Sequence, residues 1–478
     1  MEDPVIDSFV RRTRGEEGVA LIIAVVLMGV VATLAGFMLT VGVHTDQASA
    51  RGRNWVQSLH VAESGVDQAM AKIQAAGGNY SGTFTGSTAQ GSYSVTVSRQ
   101  TRNQYTIRSV GSVLPGKQGA ATRALQVTMA PPSVFKNALF SYTTLETKNG
   151  DLITGDVWAN QNAIVEAGTS VSGSVTAATG YIEIDNGSSI GGNAWSGSFN
   201  NANGYAIFVD QNASVDGWAK ASVTNPPDPI TCGGANPANY KVRADGGATI
   251  GGDVTTWGTF TGSGTAGGTV NNNVCTAAPA AIAMPAFTYS ASNYDPTTLH
   301  EFGTATTSSA TAVSDFQSYL SSHSNQLSGT FYINQSSPVN QDNRIDLTKA
   351  VVTGDLNIIT NTPIFTNGTT DQTTNAVAIL VSTYKPPTGS NCDLNQDKSE
   401  CAVHLKNNFA TSGNTAVLVY TPYGPVAVKN NAIQFGAIYS DSIQIKNNQS
   451  LTYDSRIERA VGFGDTTLEV TKWLEVKP

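Results

Sequence analysis

Twenty-five consecutive residues near the start of the chain, Val19 to Val43 (VALIIAVVLMGVVATLAGFMLTVGV), carry no charge. As a helix rising 1.5 Å per residue they would span about 38 Å, enough to cross a hydrocarbon layer of about 30 Å. Arg11, Arg12 and Arg14 precede the stretch and a polar segment follows from His44. The bias of basic residues toward the cytoplasmic side predicts that residues 1–18 stay inside and that everything after the span is exported. A secretory signal would have a shorter apolar core, about 7–15 residues, followed by a cleavage site and a turn. Here the pattern runs on. Trp55, Leu59, Ala62, Val66, Ala69 or Met70, and Ile73 recur at spacings of three or four, the signature of one apolar helical face. Gly77-Gly78 is the expected stop. The spacing predicts one rod from Val19 to Ala76, about 87 Å long.

The rest of the chain reads differently. Of 478 residues 47 are Gly and only 13% are charged, which argues against a disordered chain, and the glycines keep no three-residue period. A formal net charge of −8 argues against a nucleic-acid partner. From Tyr93 the period changes to two: residues 92–97, 104–113 and 121–129 read as strands of a small antiparallel sheet within 77–131. Five later segments align without gaps, beginning at Lys148, Glu166, Asp185, Asp210 and Asp245. Each places an aliphatic anchor (Ile153, Val171, Ile190, Val215, Ile250) five residues on, with Gly two further. Short strands, Gly/Asn turns and a repeat of this length predict a β-solenoid over 132–275. Residues 276–328 read as an insertion or linker, with a short helix from Val313 to His323 capped by Ser314 and turning Phe316, Tyr319 and Leu320 inward. Residues 329–478 read as later coils of the same solenoid, with a second, separate β domain as the alternative. Lys429-Asn430-Asn431 and Lys446-Asn447-Asn448 repeat there, and Trp473 and Leu474 are expected to cover the open end. The fold class is therefore α+β, mostly β: a long N-terminal helix with a small antiparallel sheet, followed by a β-solenoid body.

Residues 11–75 resemble the N-terminus of type IV pilins, and in particular of PilX-like minor pilins. The resemblance rests on the basic leader ending at Gly18, on Gly18-Val19-Ala20-Leu21-Ile22, and on the helix motif Ala62-Glu63-Ser64-Gly65-Val66-Asp67-Gln68-Ala69. It covers roughly the first seventh of the chain. It implies cleavage between Gly18 and Val19 by a prepilin peptidase, methylation of the new amine, residence in the inner membrane before assembly, and packing against other pilins in an extracellular filament. Where major pilins carry a glutamate, the fifth residue of the mature chain would be Ile23. A subunit at the growing tip has no earlier neighbour to supply an amine, so the lack of that carboxylate suits the tip; an unpaired buried charge would cost several kcal/mol. The implied role is that of a minor pilin at or near a pilus tip, acting in assembly and in adhesion to a surface or glycan ligand. A type II secretion pseudopilin and a membrane-tethered polysaccharide-active enzyme are the alternatives.

Three constellations could carry chemistry. Asp393, Asn395, Asp397 and Glu400, between Cys392 and Cys401, offer oxygen ligands at a spacing that suits calcium, the one candidate cofactor. The loop resembles the short acidic calcium loops of some pilus-tip adhesins; its plainer reading is a solvated hairpin closed by a disulfide. An exported chain favours disulfides. Cys392 with Cys401 and Cys232 with Cys275 is one of three connectivities the sequence allows. Glu166, Asp185, Asp210 and Asp245 share one repeat position and would form an acidic column at steps of about 4.8 Å, either a cation ladder or solvated turn residues. Catalysis would need carboxylates or a base converging on one face. Asp156 and Asp253 share a position but would lie four coils, about 19 Å, apart. The five histidines (His44, His60, His300, His323, His404) show no metal spacing, so the chain is expected not to be an enzyme.

Overall fold

A computed structural model describes residues 6–75, 80–99, 105–115, 117, 119–130, 135–197, 204–223, 232, 237–337, 339–371, 375–388, 392, 400–409, 415–460, 463 and 469–478. The chain has a long N-terminal helix and is otherwise mostly β, with extensive parallel pairing. It divides into two units: Met1–Pro131 with Thr466–Pro478, and Pro132–Asp465.

In the first unit helix α1 runs unbroken over Ile6–Ala75, so it starts before the expected Val19 and has 70 residues, about 105 Å of rise. Four antiparallel strands follow, β1 (Gly82–Thr88), β2 (Gly91–Arg99), β3 (Tyr105–Val113) and β4 (Ala121–Ala130). Their alternation sends Tyr93, Val95, Val97, Tyr105, Ile107, Leu125, Val127 and Met129 onto the second half of α1, where Val61, Ala62, Val66, Ala69 and Ile73 are fully buried. Two glycines set how closely helix and sheet approach. A Cβ on Gly111 would stand 2.3 Å from the Ser58 carbonyl oxygen, and one on Gly65 would stand 2.3 Å from Ser109 Oγ. Trp55 is a departure from the predicted stripe: it is exposed, with the Arg123 guanidinium 3.6 Å above its ring.

The fifth strand of this sheet is a second departure. The last strand, Glu469–Val476, pairs antiparallel with β4 instead of continuing the body. Arg123 holds it in place through a bidentate contact with Glu475. Trp473 and Leu474 therefore lie in this sheet, beside Val127 and Gln126 of β4, and are 46% and 39% exposed. The physical reason is that β4 would otherwise leave an unpaired edge, and an eight-residue strand satisfies it.

The second unit is built from short parallel strands in three columns. In its first part each turn of chain supplies one strand to each column, so that Ile153, Val171, Ile190, Val215 and Ile250 fall in direct parallel register and are buried. The order of stacking differs from the expectation that residues 329–478 follow on beyond Cys275. The strand Phe435–Ser440 pairs parallel with Leu139–Ser141, Ile443–Lys446 with Leu145–Lys148, and Ser450–Tyr453 with Leu152–Thr154. The C-terminal coils thus stack on the opposite side of the first coil, and the body begins and ends in mid-stack.

Residues 276–298, expected to be a linker, carry the chain back along the outer face of one column. Thr276 accepts from the Val223 N–H, Ile282 exchanges two hydrogen bonds with the Asn160 side chain, and Tyr420 donates to the Pro285 carbonyl. Tyr289 then stacks on Tyr332 at 3.6 Å. Helix α2 (Ala312–Ser322) follows, burying Ala312, Val313, Phe316 and Leu320 against the coil at that end. Its N-cap is Thr311, and Ser314 Oγ donates back to the Thr311 carbonyl instead of capping.

Candidate functional site

Two surfaces carry the residues singled out by sequence, one in each unit. In the first, every described residue of α1 from Val19 to Val43 is exposed, among them Leu21, Ile22, Ile23, Leu27, Phe37 and Leu39. Among the described residues this is one helix long and apolar enough to cross a membrane. Ile23 lies in this exposed stripe, and Gly18 and Val19 lie within α1. The motif Ala62 to Ala69 sits on the packed half. Ala62, Val66 and Ala69 are buried, Gly65 is where the helix approaches the sheet, and Gln68 Oε1 accepts a 2.5 Å bond from the Tyr93 hydroxyl. The motif thus docks the helix on its sheet and leaves the stripe before it bare.

In the second unit the corner after one column carries a file of charged residues. Parallel register puts Glu166, Asp185, Asp210 and Asp245 directly over one another. The next rung below Glu166 is Lys148, and below it come Lys446, Lys429 and Lys406. The file is therefore four lysines followed by four carboxylates, about 34 Å long at a spacing of about 4.8 Å. The lysines were not among the expected site residues, although Lys-Asn-Asn recurs at 406–408, 429–431 and 446–448. The turn after each charged rung explains that motif. Asn407, Asn408, Asn430, Asn431, Asn447 and Asn448 all have positive φ, as do Asn149 and Gly150, and Asn and Gly adopt this conformation at least cost. A ladder of side-chain bonds, Asn407 to Asn367, Asn430 to Asn407, Asn447 to Asn430 and Asn149 to Asn447, ties the turns together across the point where the two halves of the body meet.

Lys148 pairs with Glu146 and, at 3.2 Å, with Glu166, while Arg243 pairs with Asp245 at 2.7 Å. Burial raises the Asp185 carboxyl above its ordinary range, and the neighbouring Asp210 raises it further. Glu166 is raised by burial too, with Glu146 and Asp185 adding to the effect and Lys148 opposing it. Glu183, on the adjoining strand, is raised by burial and then by Asp185, Glu166 and Asp210. Among the described residues no group of three or more His, Cys, Asp or Glu side chains is arranged to hold a metal ion.

The remaining candidates that are described have structural partners. Cys232 is joined to Cys275 and Cys392 to Cys401. Asp393, Asn395 and Asp397 lie outside the described residues, and Glu400 accepts a 2.5 Å bond from the Tyr384 hydroxyl. Asp156 accepts from the Ser174 N–H and Asp253 from the Thr269 N–H, each fixing the turn of the next coil. Asp151, which sequence reasoning passed over, is buried between the two halves of the body; it accepts from the Gln449 N–H at 2.8 Å and the Lys148 N–H at 3.1 Å.

No protein-family model matches the chain, and no curated protein matches it. Among solved structures, the crystal structure of the competence-associated pilin ComZ from Thermus thermophilus is similar over 88% of this chain and 97% of that one, at 13% identity and a TM-score of 0.24. A likeness of that size carries no argument by itself.

Proposed function

We propose that this chain is a PilX-like minor pilin whose enlarged body is a β-solenoid. The observation that carries the proposal is the division of α1: an uncharged stretch, Val19–Val43, whose described residues are exposed and which is long enough to span a membrane, continuous with a later stretch packed on an antiparallel sheet at Gly65. In water an apolar stripe of this size is unfavourable, so it needs lipid or the apolar helices of neighbouring subunits around it. On this reading the chain waits in the inner membrane and is cut between Gly18 and Val19. It then enters a filament through the freed helix, with Ile23 suiting it to the tip. The solenoid reading of the body is supported by the parallel three-column register of its strands.

The body's work is binding rather than catalysis. The carboxylates that share a repeat position are spent on turns, as with Asp156 and Asp253, or stand in the corner file. Its Thr-, Ser- and Asn-rich outer surface suits many weak hydrogen bonds to a glycan or another surface ligand. Mass spectrometry of the N-terminus in sheared filaments tests the reading. A chain beginning at methylated Val19 is expected; a chain found only in envelope fractions and still carrying Met1 would overturn it.

A further inference from the structure

One file of turn residues in the body keeps a rule and breaks it once. Main-chain bonds stack residues 156, 174, 193, 218, 253 and 269 in succession: the Val157 N–H donates to the Ser174 carbonyl, Val175 to Asn193, Ala194 to Trp218, Ala219 to Asp253 and Val254 to Thr269. Each oxygen-bearing side chain here accepts the N–H of the next residue in the file. Asp156 takes that of Ser174 at 2.8 Å, Ser174 that of Asn193 at 3.1 Å, Asn193 that of Trp218 at 3.0 Å, and Asp253 that of Thr269 at 2.7 Å. Trp218 breaks the series, because an indole carries no acceptor for the Asp253 N–H. A large apolar ring, 36% exposed, thus stands at a turn where an oxygen side chain would close a hydrogen bond.

The ring is also held in place. Trp195 meets it edge to face, with ring centres 6.1 Å apart and planes at 71°. Trp195 is in turn fixed by its Nε1–H bond to Ser222 Oγ at 2.9 Å and by the Lys220 ammonium 5.0 Å from its ring centre. Asn193 and Asp253 occupy the rungs on either side of Trp218. Their Oδ1 atoms hold the turns, which leaves the Asn193 amide to donate and the second Asp253 oxygen to accept. Asp216, two residues before the ring, is exposed as well.

We propose that Trp218 is the platform of a saccharide subsite that takes a neutral pyranose of gluco configuration. With its hydroxyls equatorial, such a sugar presents only C–H bonds on each face, which stack on an indole, while its rim of hydroxyls reaches the amide and carboxylate beside the ring. Asp216 and Asp253 oppose a polyanion or an anionic lipid surface at this place, and Lys220 opposes a polycation. The assignment rests on the binding role proposed above for the body, and gives it a location and a ligand class.

The test titrates the full chain, in micelles of a sugar-free detergent, with cellohexaose and follows binding by saturation-transfer NMR. Binding is expected, with the strongest transfer to protons on one face of the sugar ring. Trp218→Asn returns an oxygen side chain to the turn. It should weaken binding roughly tenfold while the Asp253 amide gains protection from hydrogen exchange, so that the loss is assigned to the ring and not to unfolding. Trp218→Tyr keeps a stacking face and should bind within about threefold of the natural chain. Polyphosphate should not displace the sugar. Equal affinity of the natural chain and the Asn variant would overturn the site and leave the glycan reading of the remaining surface standing. Absence of cellohexaose binding, or its displacement by polyphosphate, would overturn the ligand class. None of these results bears on the pilin assignment, which the N-terminus of the mature chain decides.

Discussion

Asp151 sits where the first coil of the body meets the last, and its chemistry makes that seam sensitive to pH. The side chain is 1% exposed, and burial raises its pKa from an ordinary 3.8 to about 6 against the lowering effect of the Gln449 and Lys148 N–H groups. A shift of about two units corresponds to ~3 kcal/mol between the protonated and charged forms. The folded chain therefore binds this proton more tightly than the unfolded chain. Its contribution is most favourable below about pH 4, is lost progressively as pH rises to about 6, and stays constant above that. Asp151→Asn removes the charge and retains one acceptor, at a cost of ~1 kcal/mol for the bond to the second N–H. The measurement is hydrogen exchange, read by mass spectrometry in peptides covering 148–153 and 447–453 and corrected for intrinsic exchange. Between pH 4 and pH 7.5 the natural seam should lose ~2–3 kcal/mol of protection, roughly a hundredfold in opening, while the Asn variant loses under about 0.5 kcal/mol from this source. The difference between the two chains isolates Asp151 from the raised carboxyls of Glu166, Glu183 and Asp185. Equal pH profiles for both chains would refute the reasoning.

Gly111→Ala should cost more than Gly65→Ala. A Cβ on Gly111 meets backbone atoms of Ser58 and Ala62, which cannot turn aside, whereas one on Gly65 meets side chains and gains up to ~1 kcal/mol of helix propensity. Hydrogen exchange in peptides covering 58–69 and 105–113, read by mass spectrometry on the full chain, should rank the two. Ile153→Ala removes an anchor held between Leu451 and Val171 and should destabilise the body by ~2–5 kcal/mol in urea unfolding. Reducing the Cys232–Cys275 bridge, which spans 43 residues of sequence, should destabilise the body by ~3–4 kcal/mol under the same assay.

Much of this architecture was legible in local pattern. The apolar run from Val19 and the three-four spacing through Ile73 marked α1, and the anchors from Ile153 to Ile250 gave the register of the coils, because a repeat records which residues share a column. A repeat does not record which coil is the neighbour. The return of the chain along 276–298 is held by single contacts such as Asn160 with Ile282, with no periodic signal, so the reversed stacking of the C-terminal coils was hidden. The same gap concealed the lysine half of the charged file. Its Lys-Asn-Asn motif marks a turn with two positive-φ residues, and only the stacking of Ile443–Lys446 on Leu145–Lys148 places those lysines in line with Glu166. Trp473 and Leu474 were misplaced because an alternating strand fits any open edge, and β4 offered one.

Because the body starts at Leu139 and finishes at Tyr453 in adjacent coils at mid-stack, both of its extremities are made from the interior of the polypeptide: the coil near Thr265 at one, and α2 with the strand Leu299–Phe302 at the other. A turn gained or lost at either extremity, with a matching change in the return along 276–298, would leave undisturbed the residues through which the body is joined to the rest of the chain. A family built on this plan would vary in the number of its turns while the junction stayed constant, and lengthening would proceed by insertions within the chain rather than by additions at a terminus.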